Sequence, residues 1–307
     1  MNRSLTFFVF ILFCSACFGQ NKIELNLTKG QVYMQKTSMV MGIKQTMNSQ
    51  DVLINVTLNG TTSYKVTDLK DGVYDIDVAY KTLYIKSELP DGKSLIFDSE
   101  KQDKTDTMSM SMAVMKDKPF HMKMNRQGKL LAVSNIDNLY SSIFAAFPKL
   151  SALQKQKLKT QIEQSFGEKA FKDNLQNMMA FYPQNSVVKG SKWGTNSTAT
   201  SANMEMQVSN NFTLDDVTES QYIISGTSKI TVPNADVFKE INGMSAKTNM
   251  SGNVTTKMKV NKKTGWIEES TSQMNTKGAV TFKASDKMPK GMTIPMEITA
   301  KTTLTAN

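Results

Sequence analysis

Period-two alternation dominates the chain. The even positions Val52, Ile54, Val56 and Leu58 are apolar, with Asn55 and Thr57 between them. The same beat returns in Tyr74, Ile76, Val78 and Tyr80 against Asp75, Asp77 and Lys81, and again in Met292, Ile294, Met296, Ile298 and Ala300. Successive side chains leave a strand on opposite sides, so one apolar and one polar face predicts a half-buried antiparallel strand. Met108, Met110, Met112 and Val114 alternate in the same way and predict another, as do Tyr222/Ile224 and Met258/Val260. Turn residues punctuate these runs at Asn59-Gly60, Lys70-Asp71-Gly72, Pro90-Asp91-Gly92, Arg126-Gln127-Gly128 and Thr264-Gly265.

The beat changes between residues 136 and 182. Asp137 can cap a short helix carrying Leu139, Tyr140, Ile143, Phe144 and Phe147, stopped by Pro148. Ser151 can cap a second, with Leu158, Ile162 and Phe166 four residues apart and Gly167 past its end. Phe171, Leu175, Met178, Met179 and Tyr182 predict a third, ended by Pro183. Three short amphipathic helices in series suit a cover over one sheet face.

The segments on either side of this insert resemble each other. Lys29-Gly30-Gln31-Val32-Tyr33 is matched by Lys189-Gly190-Ser191-Lys192-Trp193. Late in each half stands a hairpin of one design, Met122 to Leu130 and Met258 to Ile267. The expected fold is therefore mainly β: a curved antiparallel sheet or half-barrel from two duplicated β units, with a three-helix insert between them. The expected boundaries are a leader at 1–19, a first β-rich unit at 20–135, the helical insert at 136–182 and a second β-rich unit at 183–307. Residues 20–307 are expected to form one compact domain.

The first nineteen residues read as an address. A cationic start (Met1-Asn2-Arg3-Ser4), the apolar run Leu5 to Phe13 and small residues up to Gly19 make the three parts of a secretory signal, too short to span a bilayer. Cleavage after Gly19 leaves Gln20 first. The alternative makes Cys17 a lipidated first residue, with Cys14 where Leu is usual. Either way the expectation is export, to the periplasm or the cell exterior. The leader holds both cysteines of the chain, Cys14 and Cys17, so disulfides and thiol chemistry leave with it.

What remains narrows the chemistry further. The chain has one His, and its net charge is +10. Arg126 is the only arginine after the leader. Nucleic-acid readers use the arginine fork, so nucleic acid is not an expected partner; the surplus Lys are expected to be a solvated surface, with a weak attraction to anionic membrane headgroups or acidic glycans as the alternative. Ser186-Val187-Val188-Lys189, Ser201-Ala202-Asn203 and Lys263-Thr264-Gly265 imitate the motif order of penicillin-recognising serine enzymes. There the serine must open a helix one turn before its lysine, whereas Ser186 follows Pro183 in a connector. Asp98, Glu100, Asp103 and Asp106 lack the glycine and closing glutamate of a calcium loop. No enzyme, catalytic residue, metal or cofactor is expected.

The unusual feature is methionine, 22 in all and often as Met-x-Met. Positions i and i+2 on a strand share a face about 6.6 Å apart. Facing thioethers there suit soft Cu(I), an adaptable apolar groove, or an irregular core. The leading expectation is a non-enzymatic protein that binds an apolar small molecule or lipid between sheet and helices. Met108, Met110 and Met112 would line that groove from the sheet; Tyr140, Phe144 and Met178 would line it from the helices. A structural or protein-interaction module of the envelope is the alternative, and a Cu(I)-handling protein the next.

The order of parts is also similar to a family of secreted bacterial proteins carrying a domain of unknown function. The resemblance rests on Ile23 to Tyr33, the Asp71-Gly72-Val73-Tyr74 turn, Phe181-Tyr182-Pro183 leading to Val187 to Trp193, and Lys263 to Ile267. These are turns and strand starts. The resemblance implies a shared fold and brings no catalytic residue with it.

Overall fold

The computed structural model describes residues 20–47, 49–101, 106–201, 204–241, 244–285 and 289–306. The leader at 1–19, Asp103 and the Ala202-Asn203 part of the serine-enzyme imitation lie outside them. The first half contains β1 (Val32–Met47), β2 (Gln50–Lys70), β3 (Val73–Glu88), β4 (Ser94–Asp98), α1 (Thr107–Met115), β5 (Phe120–Asn125) and β6 (Leu130–Ser134). Helices α2 (Asp137–Ala146), α3 (Ala152–Phe166) and α4 (Glu168–Met179) follow. The second half contains β7 (Lys192–Ser201), β8 (Met204–Val217), β9 (Gln221–Thr231), β10 (Lys239–Ile241), β11 (Met244–Asn261), β12 (Ile267–Phe282) and β13 (Met292–Ala306).

All the described strands join one antiparallel sheet, whose path runs β6-β5-β3-β2-β1-β13-β12-β11-β9-β8-β7. It is mainly a meander of neighbouring hairpins. The order β6-β5-β3-β2-β1 in the first half repeats as β12-β11-β9-β8-β7 in the second, with β13 inserted where the two meet. The duplication extends to single hydrogen bonds. Gly30 N donates to Val66 O (2.8 Å) and Val66 N to Gln31 O (3.0 Å); Gly190 N donates to Leu214 O (2.7 Å) and Leu214 N to Ser191 O (3.0 Å). Lys29–Asp68 and Lys189–Asp216 close these turns as ion pairs, each at 2.7 Å. Gly30 and Gly190 both have positive φ, 85° and 84°, a conformation glycine adopts without steric cost. The late hairpins match as well: Asn125 and Asn261 each turn a side-chain oxygen back onto the next backbone N–H groups.

The sheet is not closed into a barrel. Its outer edges, β6 and β7, are bridged by α4. Leu130 N at the β6 edge donates to Gln176 Oε1 (3.2 Å). On the other side Asn177 Nδ2 donates to Thr198 O (2.8 Å), and Ser197 Oγ donates to Asn177 Oδ1 (2.6 Å). The insert thus carries the chain from one sheet edge to the other while covering part of the inner face. Leu139, Ile143, Leu158, Ile162, Phe171, Leu175 and Met179 share one buried core with Val66, Tyr74, Ile76, Val78 and Leu214.

Residues 20–31 form a strap across one end of the sheet. Leu25 N donates to Arg126 O (2.7 Å), Asn26 N to Thr264 O (2.8 Å) and Leu27 N to the Tyr74 hydroxyl (3.1 Å). Ile23, Leu25 and Leu27 are buried beneath it. The strap therefore ties together the late hairpins of both halves.

Two expectations are corrected. Residues 107–115 form α1, not a strand. Asp106 caps it, its carboxylate accepting from Met108 N and Ser109 N, both at 3.1 Å, and methionine is a strong helix former. The Met/Ser alternation mimics a strand, yet the buried side is Ser109, Ser111, Met112 and Met115. Small serines there let the helix sit close on β4, where Ser109 Oγ accepts from Asp98 N (2.9 Å). Secondly, Asn59-Gly60 is no turn. It lies inside β2, with Gly60 opposite Thr37 on one side and Leu83 on the other. The irregularity it marks is a bulge at Thr61/Thr62.

Candidate functional site: an apolar trough beyond a polar belt

Along the strand axis the interior has three levels. At the end closed by the strap, Trp266 packs against the rings of Tyr33 (5.5 Å) and Tyr64 (5.3 Å), and Phe181 against Tyr182 (4.1 Å). This is the aromatic core.

The middle level is a belt of small polar side chains. Asn210 Nδ2 donates to Thr195 Oγ1 (3.3 Å), and Ser228 Oγ donates to Asn210 Oδ1 (2.6 Å). Thr256, Ser272 and Thr302 stand opposite one another on β11, β12 and β13, one pair nearer the strap than Ser228, whose own partner on β11 is Val254. On β1, Gln35 is buried; it accepts from the Tyr64 hydroxyl (3.3 Å) and donates to Met178 Sδ (3.0 Å). Buried polar groups cost free energy unless bonded, so these pairings are what allow a polar layer inside the sheet.

Beyond the belt the inner face becomes apolar again. Met41 stands opposite Val56 and Ala300, and Ile43 opposite Ile54 and Ile298. Met39, Leu58 and Ile85 form the next row toward the core, in register with Thr302, while Val280 and Ile294 pair on the other side. These residues belong to the same alternation that buries Tyr64 and Leu304 nearer the core. Here, however, they are half-exposed. A half-exposed apolar trough is left across β2, β1 and β13; on its flanks Ile85 of β3 packs against the core and the β12 partner of Ile298 is the buried Thr276. Two surface depressions, of about 520 Å³ and 250 Å³, are lined largely by Lys, Ser, Thr and Asn of the other face, with Trp193 and Phe212 at the larger, and neither is this trough.

The six residues singled out from the sequence do not meet on one sheet face. On α1, Met108 and Met112 are a helical turn apart and Met110 lies on the far side, since side chains two apart on a helix do not face each other. Met112 is buried; Met108, Phe144 and Met178 sit at the fringe of the core. Tyr140 is buried on α2, and burial pushes its phenol up to about 12. Met178 accepts from the buried Gln35 of β1, which lies on the core side of the trough. The trough residues Met41, Ile54, Ile294 and Ile298 were legible as an alternating face, but not as one left uncovered.

The motif imitations are absorbed by structure. Lys189 is held by Asp216. Lys263-Thr264-Gly265 forms the β11–β12 turn, where the Tyr182 hydroxyl donates to Gly265 O (2.8 Å). In the acidic run, Glu100 pairs with Lys116 (2.7 Å), and Asp106 caps α1. Among the described residues no group of three His, Cys, Asp or Glu side chains is arranged to hold a metal ion.

The outer face carries one compact charged cluster. His121 on β5 bridges two carboxylates of β3, Nε2 to Asp75 Oδ1 (2.9 Å) and Nδ1 to Asp77 Oδ1 (3.0 Å), and Lys123 reaches Asp75 at 2.6 Å. Burial on its own lowers the imidazole pKa, but the hydrogen bonds to Asp77 and Asp75 outweigh it and the net direction is up. Asp75 is held low, first by Lys123 and then by His121.

Fold and site together define a mainly β protein: an open, duplicated antiparallel sheet, latched by a helix and strapped at one end. A sequence profile described as a family of unknown function (DUF6263) matches residues 71–267, and the chain belongs to that family. No curated protein matches. Among solved structures, an outer membrane channel from Pseudomonas putida F1 is 6% identical, over 92% of this chain and 97% of that one, with a TM-score of 0.27. A loop-deletion mutant of OmpT, an outer membrane protein of Vibrio cholerae, is 7% identical over 90% and 98%, with a TM-score of 0.20. Likenesses at these scores carry no argument about fold or function. No helix of the described residues is long and apolar enough to cross a membrane, which says nothing about strands.

Proposed function

We propose that this is an exported, non-enzymatic protein of the cell envelope that holds an apolar small molecule or a lipid acyl chain against the inner face of its sheet. The observation that carries the reading is the half-exposed trough, with Met41 opposite Val56 and Ala300, and Ile43 opposite Ile54 and Ile298, across β2, β1 and β13. Apolar surface left in water costs roughly 25 cal/mol per Å², and a contiguous patch of this kind marks an interaction site more often than an accident. Methionine suits the task because its unbranched side chain adapts to ligands of differing shape.

The test is displacement of a dansyl-labelled fatty acid from the purified protein by unlabelled fatty acids. Binding is expected for the wild type and at least about tenfold weaker in Met41→Lys and Ile298→Lys, since a charge would have to be buried beside the chain. Both positions are half-exposed, so the midpoint of urea unfolding should stay close to that of the wild type. Equal binding by wild type and both variants would sink the reading.

A further inference from the structure

We propose that the elbow between α2 and α3 is a docking surface for an anionic lipid bilayer. It lies on the helical insert rather than in the trough, and does not depend on the trough being a ligand site. From Asn138 to Ile162 the chain carries four lysines and no carboxylate. One of them, Lys159, is taken up locally, 3.5 Å from Glu163 and 5.5 Å from the centre of the Tyr140 ring. Lys149 and Lys157 are exposed, and neither has a carboxylate within ion-pair distance among the described residues.

Between them stands Leu153, 65% exposed, the highest value of any large hydrophobic side chain described. Leu153 and Lys157 are one helical turn apart and so share a face. Lys149 precedes the Ser151 cap of the same helix. The opposite side of α3 is the buried one, through Leu158 and Ile162. The exposed stripe thus has a charge–hydrophobe–charge pattern with no structural task inside the fold.

A bilayer with anionic headgroups satisfies both parts of that pattern. Lysines at the surface are attracted to the headgroups, and an isobutyl group gains by entering the acyl boundary between them. An acidic glycan would satisfy the lysines and leave Leu153 in water, so the pattern favours lipid.

The experiment is flotation of the chain from Gln20 onward, which contains every described element. Vesicles of equal parts phosphatidylglycerol and phosphatidylcholine are compared with phosphatidylcholine alone at low salt. The wild type is expected to float with the anionic vesicles only, and to be released as salt rises. Lys149→Ala with Lys157→Ala should weaken binding about thirty-fold, at about 1 kcal/mol per lysine. Leu153→Ser should weaken it without changing the salt dependence. All three sites are exposed, and unchanged circular dichroism will confirm folding. No preference for anionic vesicles, or a double variant within about threefold of wild type, would overturn the proposal. Retention on a soluble acidic glycan with no flotation would overturn it too. The fatty-acid probe should bind these variants like wild type and the trough variants should float like wild type, which keeps the two readings separable.

Discussion

His121 shows how much a single residue's role depends on its neighbours across strands. The alternation places His121 and Met122 on opposite faces, and the structure agrees, with Met122 buried and His121 outside between Asp75 and Asp77. The carboxylates alone read as a solvent face; the pairing of β3 with β5 supplies their partner. Because the folded imidazole titrates above its ordinary 6.5, its contribution to stability is complete below about pH 6.5. That contribution is lost as the pH rises through the raised folded value. Asp75, held low, contributes above its ordinary value and loses that contribution as the pH falls through the depressed one. Urea unfolding at pH 5.5 and 8.5 should therefore show a smaller stability difference in His121→Gln than in the wild type. An unchanged difference would remove His121 from the account.

At the scale of elements, local chemistry decides turns and caps, while neighbours decide long apolar runs. Ser151 caps α3 as expected, and Gln154 completes a capping box with it, because every atom involved lies within four residues. The turns at Gly72, Gly92, Gly128 and Gly265 hold for the same reason, all at positive φ. Gly265, at φ 70°, goes further: a Cβ there would come 2.0 Å from Glu24 O of the strap. Gly265→Ala should therefore destabilise by more than about 1 kcal/mol, read as a lower urea midpoint, whereas Gly72→Ala, where a Cβ meets nothing within 4 Å, should lose only what its positive φ costs. Equal losses at both glycines would show that the strap contact contributes nothing. The α1 segment illustrates the opposite limit. Its Met/Ser beat fits a strand, but Asp106 and the nearness of β4 select the helix, and neither signal lies in the period of the run.

For the whole molecule, the decisive contact is the latch that α4 makes across the two sheet edges. Open edges present unpaired backbone groups and invite association. Here Asn177 engages β7 through both its amide and its carbonyl, and Gln176 engages the β6 edge. Asn177→Ala leaves Ser197 Oγ and Thr198 O without these partners, and should cost about 1–3 kcal/mol. Hydrogen exchange should rise first in β7, before the centre of the sheet at β1 and β13. Uniform exchange across the sheet would show that the latch is not where it opens.

What the sequence determined by itself is whatever rests on local periodicity and spacing: a mainly β chain, two repeated halves, three helices between them, and the matching Lys-Gly turns at residues 29–30 and 189–190. Those features follow from the chemistry of neighbouring residues, so a linear reading reaches them. It also determined which faces are apolar. Only the tertiary structure decided which apolar faces are covered. Tyr64 and Met41 belong to the same kind of alternating run, yet Tyr64 lies under Trp266 and Met41 faces a half-open trough. The difference is set by contacts far along the chain, from the strap at one end and from α4 bridging edges whose strands are separated by the whole helical insert. Burial depends on what arrives from elsewhere, and alternation carries no record of that.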